Sequence, residues 1–145
     1  MTTAAFTDLL RNPEEVLAHI DEDHVRLTRR DGDDLVILRA HDLDILVRGI
    51  GLSSRVIGAI SRNRGNVPAA LSELFAWAVE FSPEELAAYA VEIERMLYTA
   101  SELGTFEPLL RAQQEWQETA TAHATGLRPV EPTNLPARKR RVARP

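Results

Sequence analysis

Apolar positions in this chain follow two rhythms, and the switch between them comes early. Phe6, Leu9, Leu10, Val16, Leu17 and Ile20 recur at spacings of three and four, which puts them on one helical face. Pro13 interrupts that face and lacks a backbone donor. The pattern therefore predicts a short turn through Asp8–Arg11, then a helix capped by Asn12, with Pro13 first and Glu15 at the capping-box position. Strict alternation comes next, with Val25 and Leu27 on one side of a strand and Arg26, Thr28 and Arg30 on the other. Asp31-Gly32 turns the chain, and a β-branched residue at Gly32 would damage the hairpin if that turn takes positive φ. Asp33 and Asp34 are also poor strand formers and allow a longer loop, after which Leu35-Val36-Ile37-Leu38 returns as a more buried strand. Asp42 then reads as the cap of a short helix carrying Leu43, Leu46 and Val47, with Gly49, Gly51 and Ser53-Ser54 loosening the chain beyond it.

The middle third is helical by the same test. Pro68 to Phe81 carries Leu71, Leu74, Phe75, Ala78 and Val79 at helical spacing. Ser82-Pro83-Glu84-Glu85 has the chemistry of a helix start: a capping hydroxyl, a proline at the first position, and acids against the macrodipole. Leu86, Tyr89, Ala90, Ile93, Met96, Leu97, Ala100 and Leu103 form one stripe, which Gly104 ends. Thr105 or Glu107-Pro108 opens another helix with Leu109, Leu110, Trp116 and Ala120 on its face, closing by Gly126. Three such helices need each other, or a partner, to cover their stripes. Trp77, Tyr89, Tyr98, Phe106 and Trp116 sit among aliphatic residues and read mostly as core. The implied organisation is α+β: a small amino-terminal domain over residues 1–60, an α-helical extension over 65–126, and a disordered basic tail over 127–145.

Charge sharpens that division. The net charge of −5 over 145 residues splits into −2 for residues 1–64, −8 for 65–127 and +5 for 128–145, so different segments suit different partners. A solvated acidic face accounts equally well for the middle segment. There is no cysteine, hence no disulfide framework, thiolate metal site or cysteine nucleophile. The start, Met1 to Leu10, has no basic region followed by an apolar run, and no apolar stretch approaches the roughly 20 residues that span a bilayer. A cytoplasmic location without membrane contact is the expectation.

No catalytic motif is present: no HExxH, no GxSxG, no phosphate-cradling glycine loop. His19 and His24 with Asp21 and Asp23 fit a solvated acidic turn better than a metal site. No enzyme activity, cofactor or metal is predicted. Arg26, Arg29 and Arg30 on the hairpin, with Arg11 near the first helix, are more suggestive. Guanidinium is a planar fork that holds phosphates and reads guanine edges, although exposed strand arginines also serve solubility. The basic run Arg138–Arg144 would track a nucleic-acid backbone, dock on an acidic surface, or simply solubilise.

Residues 5–13 (Ala-Phe-Thr-Asp-Leu-Leu-Arg-Asn-Pro), Val16-Leu17, 25–32 (Val-Arg-Leu-Thr-Arg-Arg-Asp-Gly) and 34–38 (Asp-Leu-Val-Ile-Leu) together resemble the prevent-host-death (Phd/YefM) antitoxin family. In that family a helix, a strand ending in Thr-Arg, a turn, an apolar strand and a short helix succeed one another in this order. The Arg-Asn-Pro variant is similar to an actinobacterial branch, as are Phe106-Glu-Pro-Leu-Leu and Glu115-Trp-Gln-Glu-Thr-Ala to an extension found there. Only Met1–Ala5 remains for the first strand that many members carry. The resemblance implies a homodimer whose amino-terminal domains pair through sheets and helices and bind operator DNA. It implies also a carboxy-terminal segment that wraps a cognate toxin. Thr28 and Arg29 match the strand motif, Thr7 and Asp8 match the first helix, and Arg11 stands one place beyond an arginine common there.

The candidate DNA contacts are thus Thr7, Arg11, Asn12, Arg26, Thr28, Arg29 and Arg30. The candidate toxin contacts are Leu86, Tyr89, Ile93, Met96, Leu97 and Trp116, which otherwise form a private three-helix core. The leading expectation is a type II antitoxin that neutralises its toxin and represses its own operon. The alternatives are a stand-alone DNA-binding regulator, which lacks a neighbouring toxin gene, and a protein-binding adaptor, which lacks operator affinity.

Overall fold

The computed structural model describes residues 1–126; the basic tail read over 127–145 lies outside the described residues. Among the described residues the fold is α+β and mostly helical. In β2 (Val25–Thr28) the alternation read from sequence holds, with Val25 and Leu27 enclosed and Arg26 and Thr28 exposed. β2 is the middle strand of three. β1 (Thr2–Ala5) pairs with it in parallel, Thr2 opposite Val25 and Ala5 opposite Thr28, so the short amino-terminal segment does form a strand. β3 (Leu35–Ile37) pairs antiparallel, with Val25 opposite Ile37 and Leu27 opposite Leu35.

Two short helices cross over from β1 to β2, α1 (Phe6–Arg11) and α2 (Pro13–Ala18), with a 3₁₀ turn at His19–Asp21. The segment expected as a turn is therefore a helix, started by the Asp8 carboxylate accepting the Ala5 N–H at 3.1 Å. Asn12 stands at the cap position of α2, but its side chain makes no cap hydrogen bond and Glu15 closes no capping box. Val16, Phe6, Leu9, Ile20 and Ile37 cover Val25 and Leu27 in a first, small core.

The expected short helix is instead the 23-residue α3 (Ala40–Arg62). Arg39 holds the cap position and Asp42 lies in the first turn, where its carboxylate accepts from Arg39 Nε at 2.7 Å. Gly49 and Ser53 do not break the helix, because Ser53 Oγ donates to the Gly49 carbonyl at 2.8 Å and Phe106 packs on the bare Gly49 backbone. Leu52 and Val56 then anchor the helix in a second core with residues from three further helices. These are α4 (Val67–Leu74), α5 (Pro83–Leu103) and α6 (Glu107–Ala124).

The helix expected through Phe81 stops at Leu74. Phe75 takes an extended conformation (φ −124°, ψ 97°) and a 3₁₀ turn covers Ala76–Glu80. The break lets Phe75 stack on Trp77 at 5.3 Å and sets Trp77 and Phe81 against Tyr89 at 5.5 and 5.6 Å, a long-range aromatic arrangement that outweighs local periodicity. α5 matches the sequence reading closely. Ser82 Oγ accepts from Glu85 N at 3.1 Å, Glu85 returns the bond to Ser82 N at 2.9 Å, and Gly104 closes the helix at φ 66°. The same Glu85 carboxylate lies 3.4 Å from Nε2 of the buried His123, near the end of α6.

Candidate nucleic-acid interface

Because β1 and β2 run parallel and in register, both strands end at the same edge of the sheet. The chain turns into α1 at Phe6 from one of them and into the Arg29-Arg30 loop from the other. Between these exits lies an open cleft of about 510 Å³, lined by Ala5, Phe6, Thr7, Thr28, Arg29, Arg30 and Asp31. Four of the candidate DNA contacts, Thr7, Thr28, Arg29 and Arg30, thus meet at one place.

The side chains there are held to different degrees. Thr28 Oγ1 donates to the Ala4 carbonyl at 3.4 Å, tying the strand ends together. Arg29 Nε donates to the Asp33 carbonyl at 2.7 Å, which folds the guanidinium over the hairpin turn while the side chain stays exposed. Gly32 does not take positive φ, so the expected conformational reason for that glycine is absent. A Cβ there would lie 3.0 Å from Nη2 of the Arg29 guanidinium folded over the turn, a contact that the exposed, flexible side chain can relieve by moving. Arg30 is exposed and makes no ion pair with a described residue. Asp31 brings a carboxylate to the rim, an opposing charge absent from the candidate set read from sequence.

Other candidates lie elsewhere. Arg26 shares the open face of β2 with Thr28, but its Nε donates to Asp34 Oδ2 at 2.8 Å across the hairpin. Arg11 is exposed at the end of α1 and does not line the cleft. Asn12 faces a separate depression with Thr2, Asp8, Glu15 and His19. His24 pairs with Asp23, whose carboxyl is held down to about 2 by the Met1 ammonium and the His24 backbone N–H.

Of the two roles open to the α5 stripe, the structure has the private core. Tyr89 and Ile93 are wholly enclosed, and Leu86, Met96, Leu97 and Trp116 pack against the same cluster. Tyr89 Oη donates to Gln113 Oε1 and Trp116 Nε1 to Glu92 Oε2, both at 2.7 Å, so even their polar atoms are spoken for inside the chain. The outward face of α5 carries Val91 and Tyr98 among Glu94, Arg95 and Glu102. Tyr98 is a surface residue, not core. Its position nine residues after Tyr89, half a helical turn out of phase, is the signal that separates the two.

Among the described residues no group of three or more His, Asp or Glu side chains is placed to hold a metal ion, and no helix is long and apolar enough to cross a membrane. Compared with protein-family models, with curated proteins and with solved structures, the chain matches none.

Proposed function

We propose that the chain is the antitoxin of a type II toxin–antitoxin pair, binding operator DNA through the cleft at the strand ends and its toxin through the helical unit. One observation carries the DNA half of this reading. Parallel pairing of β1 with β2 gathers Thr7, Thr28, Arg29 and Arg30 from two separate segments around one solvent-open cleft. The Thr7 hydroxyl and two guanidiniums there match the donor chemistry that positions a phosphate backbone and reads a base edge, while Thr28 ties the strand ends that hold them. For the toxin, the enclosed Tyr89 and Ile93 are replaced as contacts by the outward face of α5, where Val91 and Tyr98 stand among Glu94, Arg95 and Glu102. An exposed aromatic anchor with a mixed charged surround of net negative sign suits a protein partner.

Fluorescence anisotropy of the full chain against its own upstream DNA, across a salt series, tests the first half. Binding that falls linearly in log–log form with salt, and a slope reduced by about 1 in Arg30→Ala, is the expected result. A chain with no more affinity for upstream DNA than for unrelated duplex refutes it. Co-expression with the product of the neighbouring reading frame tests the second half. Rescue of growth should be lost in Tyr98→Asp, and growth arrest by no neighbouring product removes the antitoxin reading.

A further inference from the structure

α3 carries an apolar stripe that none of the described residues covers. Leu43, Leu46, Val47, Ile50 and Ile57 are each 40% exposed or more. They recur at three-, four- and seven-residue spacing, with Ser54 between Ile50 and Ile57, on the side of α3 opposite Leu52, Val56 and Ala59, which pack inward. We propose that a second copy of this chain covers the stripe, the two α3 helices packing antiparallel about a two-fold axis near Ile50.

Two observations on α3 select that occupant. The first is the pattern of glycines. Gly49 is accounted for within the chain by Phe106, yet among the described residues Gly51 has no atom within 4 Å of where a Cβ would be, and Gly58 has only the tip of Arg62. Glycine destabilises a helix interior relative to alanine, so open glycines need a reason. By helical geometry Gly51 and Gly58 border the apolar stripe on one flank, where a bare backbone admits a second helix closely. The second is charge. That same flank carries Asp44 towards the start of α3 and Arg48 and Arg55 further along; the Arg55 guanidinium lies 5.6 Å from the Phe75 ring centroid, and none of the three forms an ion pair with a described residue. In an antiparallel pair each flank meets its own copy. With Ile50 at the centre, Leu43 comes level with Ile57 of the other copy, and Asp44 comes within reach of its Arg55. A parallel pair sets the charged flank against the flank bearing Asp42, Leu46 and Ser53, where the Asp42 carboxylate is already engaged by Arg39. This interface differs from pairing through the sheets, and it is independent of whether the chain binds DNA.

Sedimentation equilibrium of the full chain, without DNA or partner, is the test. The wild type should sediment as a dimer in the micromolar range. Ile50→Glu with Ile57→Glu should weaken dimerisation by roughly thirtyfold or more, with unchanged helicity because both positions face solvent in the single chain. Asp44→Arg alone and Arg55→Asp alone should each weaken the dimer, and the two together should restore it. A monomeric wild type, or a dimer indifferent to the double glutamate variant, overturns the proposal. Failure of the double charge exchange to restore the dimer overturns the antiparallel arrangement.

Discussion

Phe106 occupies the space that a side chain at Gly49 would need: a Cβ built on Gly49 falls inside contact distance of Phe106 Cβ and Cγ. This one contact joins the middle of α3 to the start of α6. It is the reason a glycine is tolerated inside a long helix. The lost propensity is offset by an aromatic ring seated directly on the backbone.

Gly49→Ala should therefore lower stability by about 1–3 kcal/mol, the usual cost of overpacking a filled site. Gly51→Ala, two residues on with open space around it, should instead raise the stability of the dissociated chain by up to about 1 kcal/mol. Urea melts of both variants at low protein concentration make the comparison. Equal stability of the two would mean that Phe106 moves aside without loss.

Local signals in the sequence carried some elements and not others. The β2 alternation, the Ser82-Pro83 start of α5 and its Gly104 stop are short-range chemistry, and they were legible because each is decided within one or two turns of chain. The length of α3 was not, because Gly49 and Ser53 are weak helix formers whose cost is met by Phe106 and by Leu52 and Val56 in a core assembled from distant segments. The break at Phe75 escaped for the same reason, being set by Trp77, Phe81 and Tyr89. At the cleft, Thr28 and Arg29 were visible as a strand end. Their meeting with Thr7 depends on β1 adding in parallel beside β2, a pairing that spacing along the chain does not reveal.

The arginines should separate by their ties within the chain. Arg30, with no ion pair to a described residue, is expected to lose about 1–3 kcal/mol of DNA affinity on change to alanine if it reads a base, and to reduce the salt slope if it holds a phosphate. Arg26, engaged by Asp34 across the hairpin, should cost less in binding than Arg30. Anisotropy titrations of the two variants at matched salt decide the order. Equal losses would place the contact surface across the whole open face of the sheet instead of at the cleft.

Opposite faces of α5 make a second contrast. Ile93→Asp puts an unpaired charge into the enclosed second core and should cost at least about 4 kcal/mol, unfolding the helical unit without any partner. Tyr98→Asp, on the exposed face, should stay within about 0.5 kcal/mol of the wild type. Circular dichroism with urea titration reads both. A helical Ile93→Asp chain would contradict the private core.

Tyr89 should give the protein an alkaline limit. Its ring is wholly enclosed and its hydroxyl donates to Gln113 Oε1 at 2.7 Å, and burial pushes the phenol well above the ordinary tyrosine range. The raised value belongs to the folded state, so the neutral phenol is favoured there. Below about pH 10 both states hold the proton and the linkage contributes no slope. Above it the unfolded chain releases a proton that the folded chain retains, and stability falls by up to about 1.4 kcal/mol per pH unit. Tyr89→Phe should abolish that slope, at a neutral-pH cost of about 1–3 kcal/mol for leaving Gln113 Oε1 without its donor. Urea midpoints of wild type and variant from pH 8 upward provide the comparison. In the Tyr98→Phe background, where Tyr89 is the remaining tyrosine, ultraviolet titration should show tyrosinate appearing only as helicity is lost. Ionisation near pH 10 with the helices intact would show that Tyr89 is open to solvent.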